Sequence, residues 1–379
     1  MPSTAAGRDL YNPVQPFMLG FTLNWTWERG YKPRPAALLL WLNKIIMQTL
    51  SPQSFEKIFD QIIELKISDE EIKKFLLDLN SQNLPTNAFI GAVAALRKRM
   101  KHISAPENAI DVCGTGGDKL NTLNISTAVC FVVAAAGVPV AKHGNKAISS
   151  QSGSADIFSE LGVKISSDIS EIEKNLREKN LCFLFAPFFH DALKNVATIR
   201  KSLAIPTIFN FLGPLLNPAN TQLQLIGVSR KDVMQKMATT LLLTPNALRL
   251  SPKTYLVHGF DGMDEISLCT DSYLLRVENG KIFDEEIINP EKFGFKKVAL
   301  EALKGADPKY NAEKLRAFLD GEKSAYRDIV ILNSAFALQL AGKVKKIGDG
   351  VELAGAMVDG GAARKVYQRL LIWTNELHH

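Results

Sequence analysis

The chain has 379 residues, 46% hydrophobic and 22% charged, an ordinary globular composition that excludes a disordered or fibrous protein. Its formal net charge of +6 is small for this length; it suits an anionic ligand and gives no ground for a nucleic-acid partner, which needs a concentrated basic face. Four widely spaced cysteines, Cys113, Cys130, Cys182 and Cys269, form no zinc or redox pair and predict reduced thiols in a cytoplasmic protein, and no apolar run is long enough to span a membrane.

Residues 1–40 read as an amino-terminal appendage of unknown role, in which tryptophans (Trp25 and Trp27, with Trp41 at its end) alternate with Pro13, Pro16, Pro33 and Pro35 and no signal-peptide layout is present. The remainder is long enough for two domains, because single cores rarely grow past about 250–300 residues. Ser51-Pro52 opens a helix whose Phe55, Ile58, Phe59, Ile62 and Ile63 share a face. Ser68 with Glu71 is a capping box for a second helix bearing Ile72, Phe75, Leu76 and Leu79. Pro85-Thr86 starts a third, with Phe89, Ile90, Val93 and Leu96. These helices predict a small helical domain at 41–104, which later helices around 190–205 join, and the basic end Arg97, Lys98, Arg99 reads as a solvated helix terminus.

From residue 105 to 379 the pattern alternates strand and helix, which predicts an α/β domain with a mostly parallel central sheet. Strands are expected at 109–113, 138–141, 181–186, 222–228 and 254–258, and a hairpin at 272–288 turning on Asn279-Gly280. Helices are expected at 127–136, 154–161 (capped by Ser154), 170–179, 312–319, 329–341 and 350–374, the last broken at Gly360-Gly361.

Polar and glycine-rich segments fall where these strands end. Gly114-Thr115-Gly116-Gly117-Asp118 joins a strand to a helix whose start carries Asn124, Ser126 and Thr127; glycine permits close approach and positive φ, and free N–H groups at a helix start favour an anion. A plain tight turn with helix caps would read the same way. Lys142-His143-Gly144-Asn145-Lys146 follows the next strand, where ligands collect in open α/β sheets, and Ser149 to Ser154 adds hydroxyls before a helix. Asp264-Glu265, between glycines and Ile266, forms a carboxylate pair suited to Mg²⁺ and equally compatible with a solvated acidic turn. His190 and Arg200 follow the strand ending at Ala186, and Arg200 has the fork that grips a carboxylate.

Taken together, Asp111 to Asp118, Asn124 to Ala128, Lys142 to Asn145, the Phe-Asn-Phe-Leu-Gly-Pro-Leu-Leu-Asn-Pro run from Phe209 to Pro218 and Gly262 to Ser267 resemble the anthranilate phosphoribosyltransferases over residues 42–377. The resemblance implies a two-domain fold shared with pyrimidine nucleoside phosphorylases and a homodimer through the helical domain. It implies transfer of 5-phosphoribosyl from phosphoribosyl pyrophosphate to the amino group of anthranilate, with Mg²⁺, two ions per site, as cofactor. Carried over by position, Gly114, Thr115, Gly117, Asp118, Thr122, Asn124, Ser126, Thr127 and Ser154 line the phosphoribosyl pyrophosphate site and Lys142 holds phosphate. Ser126, Asp264 and Glu265 serve the metal, with Lys142, Asp264 and Glu265 the catalytic set. His143, Asn145, His190 and Arg200 receive anthranilate. Lys119 and Lys146 depart from the family, which usually has Gly and Arg there. Two other readings are a nucleoside phosphorylase, disfavoured by Asp264-Glu265 and the Lys-His-Gly-Asn loop, and a catalytically silent nucleic-acid-binding relative, which would be expected to lose those carboxylates.

Overall fold

The computed structural model describes residues 47–81, 83–147, 151–244 and 253–376; the appendage predicted at 1–40, and Ser149 and Ser150, lie outside the described residues. Its helices are α1 Pro52–Ile63, α2 Asp69–Ser81, α3 Thr86–Arg97, α4 Ile125–Ala135, α5 Ser154–Glu160, α6 Ile169–Lys179, the single turn α7 Ala186–Phe189, α8 Lys194–Leu203, α9 Lys231–Leu243, α10 Pro308–Leu319, α11 Ala325–Leu340, α12 Ile347–Asp359 and α13 Ala362–Glu376. The strands are β1 Ile110–Gly114, β2 Val140–Gly144, β3 Leu181–Phe185, β4 Leu223–Gly227, β5 Lys253–Gly259, β6 Ser272–Glu278, β7 Lys281–Ile282 and β8 Glu286–Ile288.

The strands make one sheet in the order β3-β2-β1-β4-β5-β6-β7, with β8 also on β6. Pairing is parallel from β3 through β5 and antiparallel beyond. The parallel strands are short and largely buried because both faces are covered. Val112, Val140, Leu225 and Val257 point into one core with α4 and α11, whereas Cys113, Ile226 and Leu256 point into a second with α1, α2, α3, α8 and α9. Helix α4 is buried on all sides, as its Ala- and Val-rich sequence demands. The hairpin turns as predicted, with Asn279 and Gly280 both at positive φ, the pair of values a type I′ turn requires.

Local rules hold at the first helices. The Ser51 side chain accepts the Ser54 N–H at 3.2 Å and Pro52 takes the first helical position. The Ser68–Glu71 box closes in both directions, at 2.9 and 3.3 Å. Three expectations need correction. Arg97 is not a solvated terminus: it is 5% exposed, its guanidinium donates to Leu215 O at 2.9 Å and to Asn220 Oδ1, and burial lowers its pKa to about 10. Strand β2 runs to Gly144, so Lys142 and His143 belong to the strand and do not follow it. Helix α5 is capped from Gly153, with the Asp156 carboxylate accepting the Gly153 and Ala147 N–H groups at 2.9 Å; Ser154 is its first residue and not its cap. Helix α9 was not anticipated.

Candidate active site

Strand order reverses at β1, which has β2 on one side and β4 on the other. The crevice at the carboxyl end of such a strand is where open α/β sheets hold ligands. A cavity of about 310 Å³ opens there, and every site residue expected from the sequence lines it.

One end of the cavity is built around two carboxylates. After β1 the chain passes through Gly116 and Gly117, both in the left-handed region at φ 66° and 79°. Gly116 N–H donates to Asp264 Oδ2 at 2.7 Å, and Ser126 N–H, in the first turn of α4, donates to Glu265 Oε1 at 3.0 Å. The Asp264 backbone crosses directly over β4: a Cβ on Gly227 would lie 1.5 Å from Asp264 O, and one on Gly114 would lie 2.4 Å from Asp264 Oδ2. Glycine at both positions is what allows the loop to sit there. Lys142 reaches in from β2, almost wholly buried, donating to Val112 O at 2.8 Å and Ser126 Oγ at 3.3 Å.

No ion pair neutralises either carboxylate among the described residues. Loss of hydration, then the charge of Asp118, pushes Asp264 up to about 7; burial, then Asp264 itself, raises Glu265 well above the carboxylate range, with Lys142 opposing. Two apposed carboxylates short of positive charge, with the Ser126 hydroxyl and the Asp118 carboxylate nearby, fit a hard divalent cation. Among the described residues no cluster of three or more His, Cys, Asp or Glu side chains forms a metal cage. A sparse oxygen set of this kind is what Mg²⁺ takes, since it keeps waters and shares its shell with phosphate.

Asn124, just before α4, is held by its neighbours. Its Oδ1 accepts from Asn311 Nδ2 at 3.0 Å and Ser152 Oγ at 3.2 Å. Thr122 bridges to Lys304, and Thr127 is buried behind. Asn145 O accepts the Ala155 N–H at 3.2 Å and Ser154 Oγ at 3.4 Å, which joins β2 to α5.

At the other end His143 Nδ1 lies 3.1 Å from Gly213 O, an acceptor only, so that nitrogen carries the hydrogen. Burial, with His190 next in effect, holds the His143 ring well below its usual pKa and therefore neutral. Its bare Nε2 is 3.1 Å from His190 Nε2, and the Leu216 carbonyl competes with it for the single ring hydrogen of a neutral His190. Burial first and the Arg97 charge second lower His190 to about 4. Arg200, on α8, stands with its guanidinium carbon 5.3 Å from the centre of the Phe209 ring. It makes no hydrogen bond or ion pair among the described residues, and burial lowers its pKa. A half-buried, unpaired guanidinium facing a cavity favours an anionic ligand there.

Sequence reasoning assigned no role to Phe209, Asn210 or Gly213, which form the wall between these ends on two single 3₁₀ turns, Ile208–Asn210 and Gly213–Leu216. Their signal was the aromatic, glycine and proline run from Phe209 to Pro218, too irregular for any periodicity. Lys119 adopts φ 63°, a left-handed conformation that glycine takes at less cost, and its side chain is exposed.

Residues 106–364 match the family model described as glycosyl transferase family, a/b domain. The anthranilate phosphoribosyltransferase of Methylocella silvestris is 42% identical over 329 residues, covering 86% of this chain and 92% of that protein. Among solved structures, the enzyme of that name from Thermus thermophilus superposes with a TM-score of 0.80 at 31% identity, covering 89% of this chain and 99% of the other. The Saccharomyces cerevisiae enzyme in complex with PRPP and Mg gives 0.79 at 27% identity, covering 90% and 99%.

Proposed function

This chain belongs to the anthranilate phosphoribosyltransferase family, and from that premise we infer that it transfers 5-phosphoribosyl from phosphoribosyl pyrophosphate to the amino group of anthranilate, releasing pyrophosphate. The observation that carries the reading is one cavity with opposite chemistry at its two ends. A glycine-loop, lysine and carboxylate cradle stands at one, and an unpaired arginine beside a neutral histidine pair at the other.

We assign phosphoribosyl pyrophosphate to the cradle. Gly114, Thr115, Gly117 and Asp118 border the pyrophosphate, with Asn124, Ser126 and Thr127 at the start of α4 and Thr122 and Ser154 at its flanks. The N–H groups of Gly117 and Asp118 find no acceptor among the described residues, which supports an anion there. Asp264, Glu265 and Ser126 would hold Mg²⁺, two ions when substrate is bound, which would supply positive charge beside the pyrophosphate oxygens. The free N–H groups of the loop and buried Lys142 meet the charge that gathers on the departing pyrophosphate from the protein side, held in place by the fold, so little reorganisation accompanies bond breaking.

Anthranilate takes the other end. Arg200 pairs with its carboxylate, with the Phe209 ring beside the guanidinium. His143, Asn145 and His190 direct the amine toward the ribose. That amine is unprotonated at neutral pH, so holding it in line with the breaking bond, and not creating the nucleophile, is the task of these residues. A neutral histidine pair also adds no positive charge where the ribose itself becomes electron-poor.

We retain the division into a helical domain, 41–104 with the helices near 190–205, and an α/β domain, 105–379. Exposed Leu65, just past the end of α1, and Leu77 on α2 support a homodimer joined there. No helix among the described residues is long and apolar enough to cross a membrane, and we propose a cytoplasmic location. The test is anthranilate fluorescence. Purified protein with Mg²⁺ and phosphoribosyl pyrophosphate quenches it with turnover, whereas a folded protein that leaves it unchanged contradicts the proposal.

A further inference from the structure

Helix α11 touches both halves of the cradle from behind, through two polar side chains that the roles above do not use. Tyr326, in its first turn and 3% exposed, donates its OH to Asn124 O at 3.0 Å. Asn124 precedes α4, and Ser126 lies two residues further on. Asn333 is fully buried in a largely apolar stretch of the same helix, next to buried Ser334. It grips Ile266 by both backbone groups: the Ile266 N–H donates to Oδ1 at 2.9 Å, and Nδ2 donates to Ile266 O at 2.9 Å. The remaining amide hydrogen goes to Ile329 O at 2.9 Å. Ile266 is the residue after Glu265.

A buried amide is costly unless its bonds are made, and Asn333 makes all that its NH₂ group can. Its partner is the metal loop and not another part of the core. Positions 326 and 333 are about two helical turns apart and therefore share a face. Between the two anchored points runs the Ser126 N–H to Glu265 Oε1 bond of 3.0 Å. The loop is thus fixed from opposite sides: Gly227 lets Asp264 down onto β4, and Asn333 holds Ile266 against α11. Neither Tyr326 nor Asn333 lines the cavity.

We propose that Tyr326 and Asn333 are positioning residues that fix the spacing of Ser126 and Glu265, so that α11 sets the affinity for the Mg²⁺-bound phosphoribosyl donor without touching it. The proposal rests on the assignment of Ser126, Asp264 and Glu265 to that ligand. It predicts a selective defect: the donor end loosens while the Arg200 end, which α11 does not hold, keeps its affinity for anthranilate.

The experiment is calorimetric titration of Mg²⁺ and phosphoribosyl pyrophosphate into the full chain without anthranilate, for the parent, Tyr326→Phe and Asn333→Ala, with melting curves and the KM of each substrate alongside. Loss of one hydrogen bond in Tyr326→Phe weakens donor binding about fivefold, and loss of the Asn333 grip weakens it at least about tenfold, while the anthranilate KM stays within about twofold. A purely structural role lowers the melting temperature and leaves donor affinity unchanged in Tyr326→Phe; that result overturns the proposal. If Asn333→Ala does not fold, Tyr326→Phe decides alone, since it removes only a hydroxyl. A parent that binds no Mg²⁺-phosphoribosyl pyrophosphate overturns both this proposal and the donor assignment beneath it, whereas a parent that binds beside equally tight variants overturns this proposal only.

Discussion

Replacing Gly227 with alanine tests the geometry of the cradle without altering any charge. Its Cβ would lie 1.5 Å from Asp264 O and 2.4 Å from Asp264 C, both backbone atoms, where real Cβ contacts stay beyond 3.0 Å. No side-chain rotation relieves such a clash, so the Asp264 backbone must move by an ångström or more, taking Asp264 off the Gly116 N–H and drawing Glu265 away from Ser126. Overpacking of this kind costs about 1–3 kcal/mol of stability. A misplacement of about 1 Å in a positioned group costs roughly a hundredfold in rate. Gly227→Ala should therefore stay folded, lose about two orders of magnitude in kcat/KM and need more Mg²⁺ for half-maximal rate. Gly348→Ala is the control: it lies in α12, nothing stands within 4 Å of its Cβ, and it should keep full activity. Kinetics over a Mg²⁺ series with melting curves decide the matter; a Gly227→Ala enzyme within about threefold of the parent, with the same Mg²⁺ requirement, refutes the argument.

Arg200→Gln removes the unpaired guanidinium and should raise the anthranilate KM by about 10- to 100-fold while leaving the KM for phosphoribosyl pyrophosphate within about twofold, measured by varying each substrate in turn. Lys119→Gly relieves a left-handed backbone, and the gain of about 1–2 kcal/mol less the entropy of glycine leaves up to about 1 kcal/mol, read as a higher urea midpoint. His190 falls from 6.5 to about 4 on folding, so well above pH 6.5 both states are neutral and it contributes nothing to the pH dependence. Below that the unfolded chain takes the proton first, and stability falls by about 3 kcal/mol as pH approaches 4. His190→Asn should flatten this part of the acid limb in urea unfolding at stepped pH; an unchanged slope would contradict the burial argument.

The elements that could be read from the sequence are those whose cause is local. The Ser68–Glu71 box, Pro52 at a helix start and Asn279-Gly280 in a hairpin each act within a few residues, and the apolar runs at 181–185 and 223–227 are short enough to be strands. The cradle was legible as a set of residue types because glycines, hydroxyls and carboxylates recur where strands end. What was hidden depends on partners distant in the chain. Arg97 looked like a solvent-facing helix end because Leu215 and Asn220, which enclose it, lie more than a hundred residues away. Lys142 and His143 looked like a loop because a lysine in a buried strand is justified only by Val112 O and Ser126 Oγ. Asn333 is one buried amide in a largely apolar helix, and no periodicity reveals that its partner is Ile266.

The central claim is that the two ends of one cavity bring a phosphoribosyl donor and an aromatic amine together. It is tested most directly by following anthranilate fluorescence and pyrophosphate release in the same reaction, with each substrate and Mg²⁺ omitted in turn. The account predicts one pyrophosphate released for each anthranilate consumed, and neither change when any component is missing. Pyrophosphate release at the same rate without anthranilate, or no reaction from a folded protein with all three present, would contradict it.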